Sequence, residues 1–169
     1  MNYASIKKCD VANGLGVRVS LFVSGCEHYC KGCFNAEAWS FTYGDKYTEQ
    51  TEKDILEYLS PKYISGLTLL GGEPLNPKNA PFLIGLVKKA KELYPEKDIW
   101  CYTGYTLEEL LQEKREDVFK LLEYIDVLVD GRFIEEEKSP SLRFKGSANQ
   151  RILLVKETLK AGKPVLWNE

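Results

Sequence analysis

Three cysteines fall within eight residues, in Cys26-Glu-His-Tyr-Cys30-Lys-Gly-Cys33, a C-x3-C-x2-C spacing. Thiolates this close repel one another unless positive charge lies between them. A metal centre supplies that charge, because it deprotonates and neutralises coordinating thiols. A structural zinc ion wants four protein ligands. The only histidine, His28, lies between two of the cysteines, and wrapping Cys26, His28, Cys30 and Cys33 around one tetrahedral ion in so short a loop would be strained. A fully protein-ligated iron–sulfur cluster also takes four ligands. Three close thiolates with no obvious fourth suggest a 4Fe–4S cluster with one iron left open to bind a small molecule. Zinc, or three ordinary buried thiols, are the alternatives. Cys9 and Cys101 are distant in sequence and read as small buried hydrophobes. Five cysteines, an odd number, in a chain without an export signal do not read as a disulfide framework.

The elements that must carry these residues alternate. Residues 17–24 are β-branched and apolar, reading as a strand that ends at Gly25, directly before the cysteine loop. Asn13-Gly14-Leu15-Gly16 before it reads as a turn. Residues 51–59 read as a helix with Thr51 as N-cap, an inner stripe of Ile55, Leu56 and Leu59, and Pro61 as its stop. The short apolar run 67–70 is a buried-strand candidate followed at once by Gly71-Gly72-Glu73-Pro74. In 82–93, Phe82, Leu83, Leu86, Val87, Ala90 and Leu93 recur at helical spacing. A strand over 98–103 leads into Gly104-Tyr105, and Thr106 with Glu109 forms a capping box opening another helix. Val118, Leu121, Leu122 and Ile125 continue helical spacing. Residues 127–129 read as a strand ending in Asp130-Gly131-Arg132, residues 133–146 as a solvated loop, and 151–155 as a last strand.

This alternation predicts an α/β fold with a mostly parallel sheet. Ligands of such sheets bind at the carboxyl ends of the strands, where every unusual motif of this chain falls. A complete eight-unit barrel needs about 200 to 250 residues, so a chain of 169 fits a partial, incomplete β/α barrel, with residues 1–169 read as one domain. The net charge of −2 argues against a nucleic-acid binder working through broad basic charge. No run approaches the roughly 18 to 20 apolar residues of a membrane helix, and residues 1–10 lack the apolar core of a signal peptide. A cytoplasmic location is the expectation.

Together, the cysteine spacing, its place after a strand, and Gly-Gly-Glu-Pro after the next strand resemble the radical S-adenosylmethionine (SAM) superfamily. Gly32 stands where many members have an aromatic, and Phe34 follows the third cysteine. With residues 13–18, 21–26, 102–105, 127–133 and 146–151, this is similar to the family of glycyl-radical-enzyme activases acting on anaerobic ribonucleoside-triphosphate reductase. The matches run from about residue 10 to 152; Leu15, where proline is expected, is one departure.

The resemblance implies an oxidoreductase with one cluster per chain, held by Cys26, Cys30 and Cys33. Reductive cleavage of SAM there yields methionine and a 5′-deoxyadenosyl radical, which takes a hydrogen from a glycine of the reductase. Gly71 and Gly72 carbonyls with the Glu73 carboxylate are then suited to the cofactor's amino group, and Gly32 and Phe34 would touch it by backbone and ring. Read alone, Gly-Gly-Glu-Pro is also a strand-ending turn with a solvated glutamate. Tyr102, Thr103 and Tyr105 read as lining the adenosine side or as packing residues. Asp130 and Arg132 read as contacts or as an ion pair, Arg18 as a surface charge, and His28 as a loop residue beside the cluster and not a ligand. The implied partners are the reductase and a flavodoxin- or ferredoxin-type electron donor, with no nucleic acid and no membrane; a homodimer is left open. Competing readings are a radical enzyme acting on a small molecule and a fully ligated metal module that only carries electrons or binds partners.

Overall fold

A computed structural model of the chain describes residues 1–168. Seven strands form one sheet in the order β3-β1-β2-β4-β5-β6-β7. They are β1 (Asn2–Asp10), β2 (Val17–Val23), β3 (Asp45–Lys46), β4 (Ile64–Gly71), β5 (Asp98–Tyr102), β6 (Val127–Asp130) and β7 (Arg151–Leu154). β2, β4, β5 and β6 run parallel. β1 and β7 flank them antiparallel, and β3 pairs antiparallel with β1. The sheet is therefore α/β and mixed, with a parallel centre, and it does not close.

Among the described residues five α-helices connect or follow the strands: α1 (Glu49–Tyr58), α2 (Ala80–Leu93), α3 (Leu107–Gln112), α4 (Glu116–Leu122) and α5 (Val155–Ala161). Strand side chains alternate between faces, and the two faces have different fates. Val19, Leu21 and Val23 of β2, Leu67 and Leu69 of β4, and Ile99 and Cys101 of β5 pack in the main core with Ile55, Leu83, Leu86, Val87, Leu110 and Leu121 of the helices. The alternate residues face away from the helices. Trp100 packs there with Val127, Val129 and Phe144, and Trp167 joins them.

Arg18, expected at the surface, is fully buried on this second face. Its guanidinium donates to Thr68 Oγ1 at 2.7 Å and to the carbonyls of Leu15 and Leu67 at 3.0 Å, pairs with Asp98 at 2.7 Å, and lies over the Trp100 ring. A charge survives burial only when its donors and charge are met in this way.

Other expectations are corrected. Thr48, not Thr51, is the N-cap of α1; Thr51 sits at the third helical position and completes a capping box. Phe82 and Leu93 are exposed, because α2 turns only its central stripe inward. Val155 begins α5 instead of ending β7. The segment 133–146 is not wholly solvated: Phe144 is buried, edge-on to Trp100. Cys9 is exposed, in an irregular stretch of the β1–β2 ladder. No helix among the described residues is long and apolar enough to cross a membrane.

Candidate functional site

The carboxyl ends of the parallel strands form one rim. The cysteine loop leaves β2, the Gly71-Gly72-Glu73-Pro74 turn leaves β4, Thr103-Gly104 leaves β5 and Gly131 leaves β6. These segments open into a cavity of about 610 Å³ on the face opposite the helices. Cys26, Cys30, Cys33, Phe34, Gly71, Gly72 and Glu73 all line it. So do His28, Tyr102 and Thr103, with Phe22 and Leu70 forming part of the sheet wall. Its size lies within the range of small-molecule and cofactor sites.

Local backbone fixes the rim. Gly25 turns the chain out of β2 at φ +101°, where a Cβ would meet the Phe41 ring at 2.0 Å. Gly71 has φ +106° and lies against the β2 backbone. The Gly72 N–H donates to the Val23 carbonyl and the Glu73 N–H to the Gly25 carbonyl, both at 2.8 Å, so the turn is laced to the root of the cysteine loop. Asn79 adds to this lacing. It is 1% exposed, and its amide donates to the carbonyls of Ser24 and Glu73 at 3.0 Å. Asn79 stands at the N-cap of α2, but its side chain makes no cap bond and serves the two loops instead.

The three thiols differ in setting. Cys26 is buried, and burial pushes it up to about 11, so it is a neutral thiol at neutral pH. Burial also raises Cys30, which is half-exposed to the cavity. Cys33 accepts a hydrogen bond from the Asn35 N–H at 3.4 Å. Cys101 is fully buried in the core on the helix side, as expected, and Cys9 lies outside the cavity. No fourth thiol therefore lines the cavity with the trio. Among the described residues no three His, Cys, Asp or Glu side chains converge on one point. A single zinc ion needs ligands converging at about 2.0 to 2.3 Å; a cluster spreads its irons and takes thiolates further apart. Three thiols on one cavity wall are a donor set whose chemistry suits an iron–sulfur cluster, whose irons take thiolates.

Glu73 is 1% exposed, not solvated. Its carboxylate accepts from the Leu75 N–H (2.9 Å), Thr103 Oγ1 (2.8 Å), the Gly104 N–H (2.7 Å) and His28 Nε2 (2.7 Å). A carboxylate offers about four lone-pair sites, so protein donors already fill them.

Several residues lie elsewhere. Gly32 does not line the cavity; at φ +72° it leaves room for Glu135, whose carboxylate a Cβ would meet at 2.6 Å. Tyr105 packs edge-on to His28, and burial raises it to about 12. Asp130 and Arg132 do not pair with each other: Asp130 binds Arg151, and Arg132 binds Glu109. Residues that the sequence left unassigned also line the cavity, among them Lys7, Trp39, Lys138 and Gln150. Lys7 comes from β1, Trp39 from the short helical turn after the cysteines and Lys138 from the loop after β6, none of which carries a motif, whereas Gln150 falls in the matched stretch 146–151 without a role having been given to it.

An open α/β sheet with a cysteine trio on its rim suits a small iron–sulfur protein, and the chain belongs to the family described as a 4Fe-4S single cluster domain, whose model matches residues 12–153. Three relatives within that class share one name, anaerobic ribonucleoside-triphosphate reductase-activating protein. The Haemophilus influenzae protein is 48% identical over 154 residues, covering 90% of this chain and 97% of its own. The Enterobacteria phage T4 protein is 44% identical over 153 residues, covering 90% and 93%. The Escherichia coli protein is 41% identical over 152 residues, covering 89% and 96%.

Proposed function

We propose that the chain, working as one domain on a partial β/α barrel, activates an anaerobic ribonucleoside-triphosphate reductase by generating a glycyl radical on it. The observation that carries this reading is the meeting of three thiols and the Gly71-Gly72 turn in one open cavity, with no fourth thiol lining it. The relatives' shared name supplies the partner. A reduced 4Fe–4S cluster held there would supply the one electron needed to cleave a C–S bond of SAM into methionine and a 5′-deoxyadenosyl radical, the species that would take a hydrogen atom from a reductase glycine.

The chain's own residues bind and orient. Cys26, Cys30 and Cys33 hold the cluster through thiolates and release protons on doing so. Cys26 gives up the proton that burial would otherwise keep on it. Gly71 and Gly72, half-exposed to the cavity and without side chains, offer carbonyls to the amino group of the cofactor. Phe34 and Tyr102 give the cavity apolar walls. Gly32 acts through the loop it shapes and does not touch the cofactor. The open side of the sheet leaves the cavity accessible to a loop of the partner. A flavodoxin- or ferredoxin-type protein in the same cytoplasm supplies the electron.

The test is anaerobic. The protein is reconstituted with iron and sulfide, reduced, and its electron paramagnetic resonance (EPR) spectrum recorded with and without SAM, with 5′-deoxyadenosine assayed in the same tube. A cofactor-dependent change in the cluster signal together with 5′-deoxyadenosine is expected, and Cys30→Ala should abolish both. Cleavage that survives in Cys30→Ala overturns the assignment of the cysteines. A spectrum unchanged by SAM, without product, leaves a metal module that is not an activase.

A further inference from the structure

The geometry points to His28 and Glu73 as a positioning clamp, a pair that holds the cysteine loop against the Gly71-Gly72 turn and does not itself meet the cofactor. The clamp rests on the proposed function; both residues line the cavity, with the lone pairs of Glu73 turned to protein donors.

The four donors to the Glu73 carboxylate come from three separate rim segments. Leu75 belongs to the turn after β4, Thr103 and Gly104 to the loop after β5, and His28 to the cysteine loop. With both oxygens engaged at 1% exposure, the carboxylate has no face left for a ligand's amino group, whereas the neighbouring Gly71 and Gly72 stay half-exposed to the cavity.

His28 is equally confined. Its side chain is 8% exposed, and its ring lies 4.6 Å from the Tyr105 ring, edge-on. The other side of the ring rests on Gly104, where a Cβ would meet His28 Cδ2 at 2.4 Å. A carboxylate only accepts, so Nε2 carries the proton in this pairing.

The position of His28 gives the contact its consequence. The backbone bonds of Gly72 and Glu73, and those of the Asn79 side chain, all reach the cysteine loop at or before Gly25. They fix its root. His28 reaches Glu73 from between Cys26 and Cys30, within the thiol trio itself. Removing it leaves the sheet and the root intact and loosens the loop relative to the carbonyls of the turn, with Glu27, which accepts from Asn76 Nδ2 at 3.0 Å and Lys78 Nζ at 2.9 Å on the surface, as the remaining tie from within the trio.

Two variants separate the hydrogen bond from packing. His28→Gln keeps a side-chain N–H near the place of Nε2; His28→Leu fills the space against Gly104 and Tyr105 without a donor. In the metal-free full-length chain, amide hydrogen exchange over residues 26–34 should quicken in His28→Leu and stay near wild type in His28→Gln. In the anaerobically reconstituted chain, iron content should match wild type in both variants. The SAM concentration giving the half-maximal EPR change should rise about tenfold in His28→Leu, as expected for losing one charge-assisted hydrogen bond. In His28→Gln it should stay within about threefold of wild type.

Equal exchange in all three proteins overturns the clamp, whatever the cofactor does. Quickened exchange with an unchanged SAM titration overturns its positioning role. Quickened exchange in a protein whose wild-type form ignores SAM keeps the mechanical tie, but overturns its service to that cofactor together with the proposed function. A His28→Gln protein as impaired as His28→Leu, with its iron intact, also overturns the clamp.

Discussion

Cys26, Cys30 and Cys33 have the same side chain and three different environments. The thiolate is both the nucleophile and the metal ligand, so burial that pushes Cys26 up to about 11 keeps it inert in the metal-free chain. At pH 8 this thiol should alkylate very slowly. Its rate should climb about tenfold per pH unit toward pH 10, because each unit multiplies the thiolate fraction by ten below the pKa. Iodoacetamide labelling followed by peptide mass mapping measures the slope; a rate at Cys26 that stays flat from pH 8 to 10 contradicts the assignment. The cysteine trio was legible because thiols crowded into eight residues repel one another as thiolates unless a metal centre neutralises them. The roles of Arg18, Cys9 and Glu73 were not legible. Arg18 is buried by partners about 50 and 80 positions away, at Thr68 and Asp98. Glu73 is saturated by donors from Thr103, Gly104 and His28, and nothing within a short window of sequence shows that such partners converge.

The elements that face the helices were the easiest to read. The strands β2, β4, β5 and β6 are apolar runs bounded by glycine or polar turns, and α2 carries a clear helical period. Unread were β1, whose Lys7, Lys8 and Cys9 are exposed, and the two-residue β3. Both are set by long-range pairing and not by local composition. The antiparallel strand β7 was read, but not what fastens it. Arg151 donates to the buried Asp130 at 2.9 Å and to Glu108 at 3.0 Å, tying β7 to the end of β6 and to α3. Asp130 also accepts from the Leu107 N–H at 2.8 Å. Arg151→Met should leave Asp130 buried with that single donor and cost about 2 kcal/mol of stability. Arg151 also holds Glu108 below its ordinary 4.5, so the pairing stabilises at neutral pH and its contribution is lost as pH falls through and below that value. Urea unfolding at pH 7 and pH 4 measures this: the gap between wild type and Arg151→Met should be wide at pH 7 and narrower at pH 4. Equal gaps at the two values contradict the role given to Arg151.

At the scale of the whole molecule, the two faces of the sheet divide the work. Helices cover one face, where the main core lies. The other face is packed at its base by Arg18, Trp100, Phe144 and Trp167 and holds the cavity toward the carboxyl rim. The alternation of strands and helices made the parallel centre readable, but not the antiparallel flanks or the return of residues 133–146 across the second face. Phe144 and Trp167 join Trp100 there from distant parts of the chain. A sheet left open on the side of its thiols suits a protein that must act on a residue of another macromolecule. In the function proposed above that macromolecule is an anaerobic ribonucleoside-triphosphate reductase, the protein that the relatives' name contains. The most direct test mixes the reconstituted, reduced chain with such a reductase and SAM under strict anaerobiosis and records the EPR spectrum of the reductase. The account predicts a glycyl-radical signal on the reductase that requires SAM and disappears when Cys30→Ala replaces the wild-type chain. A wild-type chain with its cluster intact that produces no such signal, or a signal that persists with Cys30→Ala, would contradict it.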